Sequence, residues 1–152
     1  MSDQTDIYNS AVRMLSMREH GTRELHDKLV AKGFAAATVD DVISQLLEQR
    51  LLSDERFVEM MFRAAISKGH GPNRVTQSLH HKGVDRYLIE SHLGTSDVDW
   101  WALALTVKQK KFGSDKAVDW QQKQKQLRFL HGRGFTLDQI NYAIAAEPQS
   151  DT

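Results

Sequence analysis

Three six-residue segments of the chain follow one pattern: "LVAKGF" at 29–34, "LHHKGV" at 79–84 and "LHGRGF" at 130–135. Each reads leucine, two variable residues, a base, glycine and a large apolar residue. The glycines, Gly33, Gly83 and Gly134, are spaced by 50 and 51 residues. A glycine just past a helix end supplies left-handed backbone, and a hydrophobic contact then joins the residue beyond it to one a turn back, here the leucine. The base falls at the negative end of the helix dipole, where a cation is favoured by roughly a few tenths of a kcal/mol. Each segment is therefore a helix stop signal. A stop signal repeated at a fixed period restricts the fold to a tandem array of short helical units.

The likeness continues past each glycine. Val39, Ile89 and Ile140 lie five residues beyond the apolar member of the segment, and Ile43, Leu93 and Ile144 lie nine beyond. Offsets differing by four share one helix face. Asp85 fits a cap for the second of these following helices, and Thr136 with Gln139 fits a capping box for the third. Ala35 is a poor cap in the first. Upstream, residues 6–21 space Ile7, Ala11, Met14, Leu15 and Arg18 by three and four. Residues 53–71 begin on a Ser53 cap and turn Phe57, Met61, Ala64 and Ala65 inward. Residues 97–113 place Trp101, Leu105 and Phe112 on one face. Gly71-Pro72 restarts the chain, since proline at a first helical position loses no bond.

The pattern predicts an all-α fold of nine helices, as three tandem three-helix repeats forming an elongated, curved array. The repeats span 6–50, 51–95 and 96–146, with 1–5 and 147–152 as flexible tails. The third repeat differs: Gly113 to Gly134 is 21 residues, whereas Gly21 to Gly33 and Gly71 to Gly83 are 12. The nine extra residues predict a longer second helix carrying Lys116, Lys123, Lys125 and Arg128.

Composition removes several function classes. The 152 residues contain no cysteine, so disulfides, thiolate metal sites and thiol catalysis are excluded. No run approaches the roughly 18 apolar residues that would cross a bilayer. The polar N-terminus is unlike a signal peptide, which points to the cytoplasm. Net charge is zero, which argues against a general nucleic-acid coat. The balance hides a gradient, because eight bases and only two acids, Asp115 and Asp119, lie between Lys108 and Arg133.

Seven histidines raise the question of a metal. His80 and His81 point roughly 100° apart on a helix, and no H-x-x-x-H pair occurs. Asp40-Asp41 and Asp54-Glu55 suit helix first turns rather than acid–base chemistry. No serine elbow, P-loop or H-E-x-x-H is present. Neither cofactor nor catalysis is therefore expected. A base-reading helix-turn-helix needs Asn, Gln or Arg near the start of its second helix. Residues 36–43 are acidic and apolar there, and 136–143 offer only Gln139 and Asn141. Of the three tryptophans two are expected in the core, with Trp100 at the surface.

The segments "MREHGTREL" (17–25), "LLSDERFVEMMFRAAISKGHGPNRVTQSLHHKGV" (51–84), "DVDWWALA" (97–104) and "LRFLHGRGF" (127–135), in this order, resemble the RecX family of bacterial recombination regulators. The resemblance runs from about Ile7 to Ala146. It implies a non-enzymatic, cytoplasmic modulator of the RecA recombinase, active in DNA repair and the SOS response. Such a protein lodges in the groove of the RecA–DNA filament and restrains ATP hydrolysis and strand exchange. The middle repeat, more basic in several relatives, keeps Arg63 and Lys68 here. Expected contact residues are Lys108, Lys110, Lys111, Lys123, Lys125, Arg128 and Arg133, with Arg63, Lys68 and Arg74 secondary. The expected partners are the RecA filament and, through the basic third repeat, single- or double-stranded DNA, with the protein acting as a monomer. The alternative is a general nucleic-acid-binding helical adaptor without a recombinase partner.

Overall fold

The computed structural model describes residues 3–148, and all regular structure in them is helical. The nine helices are α1 (Asp3–Met17), α2 (Thr22–Ala31), α3 (Ala36–Glu48), α4 (Asp54–Ser67), α5 (Pro72–His81), α6 (Arg86–Thr95), α7 (Trp100–Phe112), α8 (Trp120–Gly132) and α9 (Leu137–Ala145). None of them is long and apolar enough to cross a membrane. Of the expected N-terminal tail, Asp3–Thr5 are helical, with Asp3 and Asp6 in the first turn of α1 where the dipole favours acids. Residues 1–2 and 149–152 lie outside the described residues, and Glu147 pairs with Lys116.

The three stop signals are Schellman endings. The Phe34, Val84 and Phe135 N–H groups donate to the Leu29, Leu79 and Leu130 carbonyls at 3.4, 3.1 and 3.2 Å. Gly33, Gly83 and Gly134 donate to residues 30, 80 and 131, and all three have positive φ. Each bond occupies a carbonyl that the helix end leaves open. The caps downstream follow the same reasoning: Asp85 accepts from the Tyr87 N–H at 2.7 Å, and Thr136 and Gln139 form a reciprocal capping box. Ala35 offers no side-chain cap.

The described residues divide into two compact units, 3–61 with 79–94, and 62–78 with 95–148, so that the division runs through α4 and α5. In the first unit, Ile7 and Ala11 of α1, Leu25 and Leu29 of α2, and Val39, Val42, Ile43 and Leu46 of α3 form one core. Two polar contacts tie residues distant in sequence. Asp54, at the start of α4, accepts from the Thr22 N–H and hydroxyl at 2.7 and 2.9 Å, capping α2 where Gly21 has no side chain to do so. Glu24 binds Arg18 at 2.9 Å and Lys82 at 2.8 Å. Burial alone would raise the Glu24 carboxyl, but these hydrogen bonds and charges outweigh it and hold the group at about 2. Nearby, His20 is buried and is held below its ordinary value chiefly by that burial. Its Nε2 lies 3.2 Å from Lys28 Nζ and its Nδ1 3.1 Å from the Arg18 carbonyl, a pairing that suits the neutral ring. The "MREHGTREL" and "LSDERF" segments are thus structural in this unit.

The second unit packs α7, α8 and α9 around Ala104, Leu130, Phe135, Ile140, Ala143 and Ile144. Here two expectations fail. The buried face of α7 carries Trp100, Ala104 and Lys108, one position from the expected Trp101, Leu105 and Phe112 series. Trp100 is 6% exposed and packs against Phe62, whereas Trp101 and Trp120 are 44% and 73% exposed. "WWALAL" is apolar on both candidate faces, so its period does not choose between them. On α4 the fully inward residues are Phe57, Val58, Phe62 and Ala65, with Met61 and Ala64 half-buried.

The third repeat's second helix is also shorter than expected. Measured from one helix end to the next, α7 to α8 is six residues longer than α1 to α2. Three of these lengthen the loop at 113–119, and three lengthen α8, which has 13 residues against 10 in α2. The misleading mark is Gly113, which ends α7 with φ 85, whereas Gly21 precedes α2 in extended backbone. Asp119 starts α8, accepting from the Gln122 N–H at 2.8 Å. Lys116 therefore sits in the loop, not on the helix.

Candidate functional site

The basic stretch between Lys108 and Arg133 does not form one face. Lys108 is 1% exposed. Its ammonium donates to the Gly113 carbonyl at 2.9 Å and the Asp115 carbonyl at 2.8 Å, which fastens the loop back onto α7. An interior residue with both bonds directed at backbone cannot meet a partner, so Lys108 is removed from the contact set. Lys123 lies with Lys116 beside Asn141 and Ile144 of α9, bordering a shallow cavity of about 350 Å³. Lys125 and Arg128 are exposed on α8, and Arg63 is exposed on α4.

Four of the remaining cations converge. Lys68 follows the end of α4, Lys110 and Lys111 lie in the last turn of α7, and Arg133 caps α8, all bordering one groove of about 300 Å³. Ile66 from α4, Leu103 and Val107 from α7, and Phe129 from α8 supply its apolar lining, and among the described residues no acid lines it. Arg133 lies 5.0 Å and Lys111 5.5 Å from the Phe129 ring centre, within range of cation–π attraction. Phe112 meets the same ring edge-on at 5.4 Å.

The third stop signal builds this site. Gly71 donates to the Arg133 carbonyl at 2.7 Å and Asn73 donates to the Gly134 carbonyl at 2.8 Å, so the start of α5 is bonded to the end of α8. An added Cβ at Gly71 would lie 2.5 Å from the Gly134 carbonyl, which leaves room only for glycine. This contact brings Arg133 to Lys68, whose carbonyl accepts from the guanidinium at 3.4 Å. It also sets Arg74 next to Gly132, at 3.5 Å, on an adjoining depression that includes His131. The crowding of charge registers on His70, held below its ordinary value by burial first, then by Arg74, Arg133 and Lys68. The site is strongly cationic. The apolar lining was missed by sequence reasoning, though Leu103, Val107 and Lys111, four apart on α7, are its visible trace.

Comparison with known proteins bears on what such a site serves. Residues 8–46, 53–93 and 97–144 match the sequence profiles of the first, second and third three-helix domains of RecX. The regulatory protein RecX of Vibrio parahaemolyticus is 39% identical over 140 residues, covering 92% of this chain and 90% of that protein. The chain belongs to the RecX family. A RecX relative from Halorhodospira halophila is 37% identical over 145 residues, covering 95% of this chain and 90% of its own length. The crystal structure of RecX from Lactobacillus salivarius superposes with a TM-score of 0.76 at 22% identity, covering 93% of this chain and 94% of the other, a likeness of fold. The three-helix organisation is therefore that of the RecX family, whose named relatives are regulatory proteins.

Proposed function

We propose that the protein regulates a RecA-type recombinase by binding its DNA filament, restraining ATP hydrolysis and strand exchange without catalysing a reaction of its own. The observation that carries this reading is the gathering of Lys68, Lys110, Lys111 and Arg133 around one groove with no acid among its described lining residues, in a chain of zero net charge. Membership of a family of regulatory proteins supports a binding role, and a basic concave surface suits an acidic protomer face or exposed phosphates. Lys123, Lys125 and Arg128 are also exposed on α8, open to DNA contact. The three repeats, 6–50, 51–95 and 96–146, would act as one monomeric, cytoplasmic regulator.

The test is the DNA-dependent ATPase of RecA titrated with this protein. Inhibition at or below one copy per recombinase protomer is expected, whether or not the protein binds naked DNA. A general nucleic-acid adaptor would instead bind DNA with a steep salt dependence and affect the ATPase only by competing for DNA. An ATPase and strand exchange untouched by excess protein exclude the recombinase reading.

A further inference from the structure

We propose that the groove between the ends of α4, α7 and α8 is a docking site for an acidic peptide segment that carries an apolar anchor side chain. This names the chemistry of the protein segment recognised and rests on the preceding reading only for the identity of its owner. The apolar lining decides the class of ligand. Ile66, Leu103 and Val107 are aliphatic and half-buried, so they put apolar surface into the lining of a space of about 300 Å³. A cavity of that size takes one or two large side chains. Anchor residues seated in such a pocket, with charges at the rim, are the usual energetic centre of a peptide interface.

Nucleic acid fits less well. Single strands are held by a basic groove together with aromatic rings that stack on bases. The one ring here, Phe129, is already engaged by Lys111, Arg133 and Phe112. The rim, by contrast, matches carboxylates. Lys110 and Lys111 are exposed point charges, Lys111 resting over Phe129, and the Arg133 guanidinium over the same ring presents a planar fork. Carboxylates flanking an apolar residue would meet the four cations Lys68, Lys110, Lys111 and Arg133 that border the groove. With no acid among the described residues that line the groove, such a ligand meets no like charge from them.

The experiment titrates the intact protein with a fluorescein-labelled synthetic peptide, Glu-Asp-Leu-Phe-Glu-Asp, followed by anisotropy and by backbone-amide NMR shifts. Its amide analogue, Gln-Asn-Leu-Phe-Gln-Asn, and oligothymidylate serve as the other probes. The acidic peptide is expected to bind, to weaken as salt rises, and to shift amides of residues 66–69, 103–111 and 129–133. The amide analogue should bind about tenfold more weakly or less. The exposed double variant Lys110→Glu/Lys111→Glu should lose about tenfold or more of the affinity for the acidic peptide. Lys110→Gln/Lys111→Gln should lose less, and both should keep the wild-type circular dichroism spectrum. If the charge-reversed protein does not fold, the glutamine variant and the amide analogue still decide the matter. No binding to wild type, equal binding of the two peptides, or shifts outside the groove would overturn the proposal. So would oligothymidylate shifting the groove amides while the acidic peptide does not. Because no recombinase is present, a failed groove leaves the ATPase reading intact, and a failed ATPase leaves the groove intact.

Discussion

Gly33 and Gly134 end their helices in the same way, yet replacing each by alanine is expected to cost very different amounts. Gly33 has φ 100, and an added Cβ there meets nothing within 4 Å. Its cost is the left-handed backbone alone, about 1 kcal/mol. Gly134 has a similar φ, 96, but its Cβ would collide with Arg74 Cβ and lie 2.6 Å from the Arg74 nitrogen. The end of α8 would have to move off α5, straining the Gly71–Arg133 and Asn73–Gly134 backbone bonds at 2.7 and 2.8 Å. Overpacking of this kind costs about 1–3 kcal/mol, and each backbone bond lost costs about 1 kcal/mol more. With the left-handed backbone included and one of the two bonds lost, Gly134→Ala is expected to destabilise by about 3–5 kcal/mol. Gly71→Ala, whose backbone is not left-handed, isolates the collision with Gly134 and should cost about 2–4 kcal/mol. Urea unfolding followed by circular dichroism and tryptophan fluorescence measures all three, with Trp100 buried in the same unit as Gly71 and Gly134. Gly33→Ala and Gly134→Ala equal within about 0.5 kcal/mol would refute the close approach of α5 and α8.

Other consequences follow from single contacts. Gly83→Val should cost about 1–2 kcal/mol in the same assay, because its φ is 78 and the side chain in its way, Arg23, is largely exposed, with solvent to turn into; wild-type stability would contradict the Schellman assignment. Lys108→Met should lower stability by about 1–3 kcal/mol and speed proteolysis at 113–119, since the Gly113 and Asp115 carbonyls lose their donor; unchanged cleavage would show that the amine does not hold the loop. The Glu24 carboxyl sits at about 2 against an ordinary 4.5, so its contribution is complete above pH 4.5 and is lost as pH falls from there toward 2. Allowing for the partial exposure of Arg18 and Lys82, that contribution is about 2 kcal/mol. Glu24→Gln should flatten the stability profile in that window, and a profile parallel to wild type would contradict the pairing.

The parts of the fold legible in the sequence are those set by short-range rules. Leu29, Gly33 and Phe34 identify a helix end without reference to the rest of the chain, and Thr136 and Gln139 identify a beginning. What was not legible depends on elements meeting. Asp54 reads as a first-turn acid, and only the fold brings it to Thr22, 32 residues away. Glu24 and Lys82 are 58 residues apart. Lys108 looks like any surface lysine until the loop at 113–119 closes over it. Trp100 and Trp101 are interchangeable by period, and only packing against Phe62 chooses between them. The candidate site follows the same division. Its charges stood out as a basic stretch, but their sorting into buried, convergent and scattered groups required three helix ends to be placed together. "LHGRGF" takes part in that placement, since its Gly134 admits α5 and its Arg133 reaches the groove.

The most direct test of the regulatory reading is the single-stranded-DNA-dependent ATPase of RecA, titrated with wild-type protein and with Lys110→Glu/Lys111→Glu. Wild type should inhibit at or below one copy per recombinase protomer, and the charge-reversed variant should need about tenfold more for the same effect. An ATPase that ignores the wild-type protein, or that both proteins inhibit equally, would contradict recognition of the recombinase through this groove.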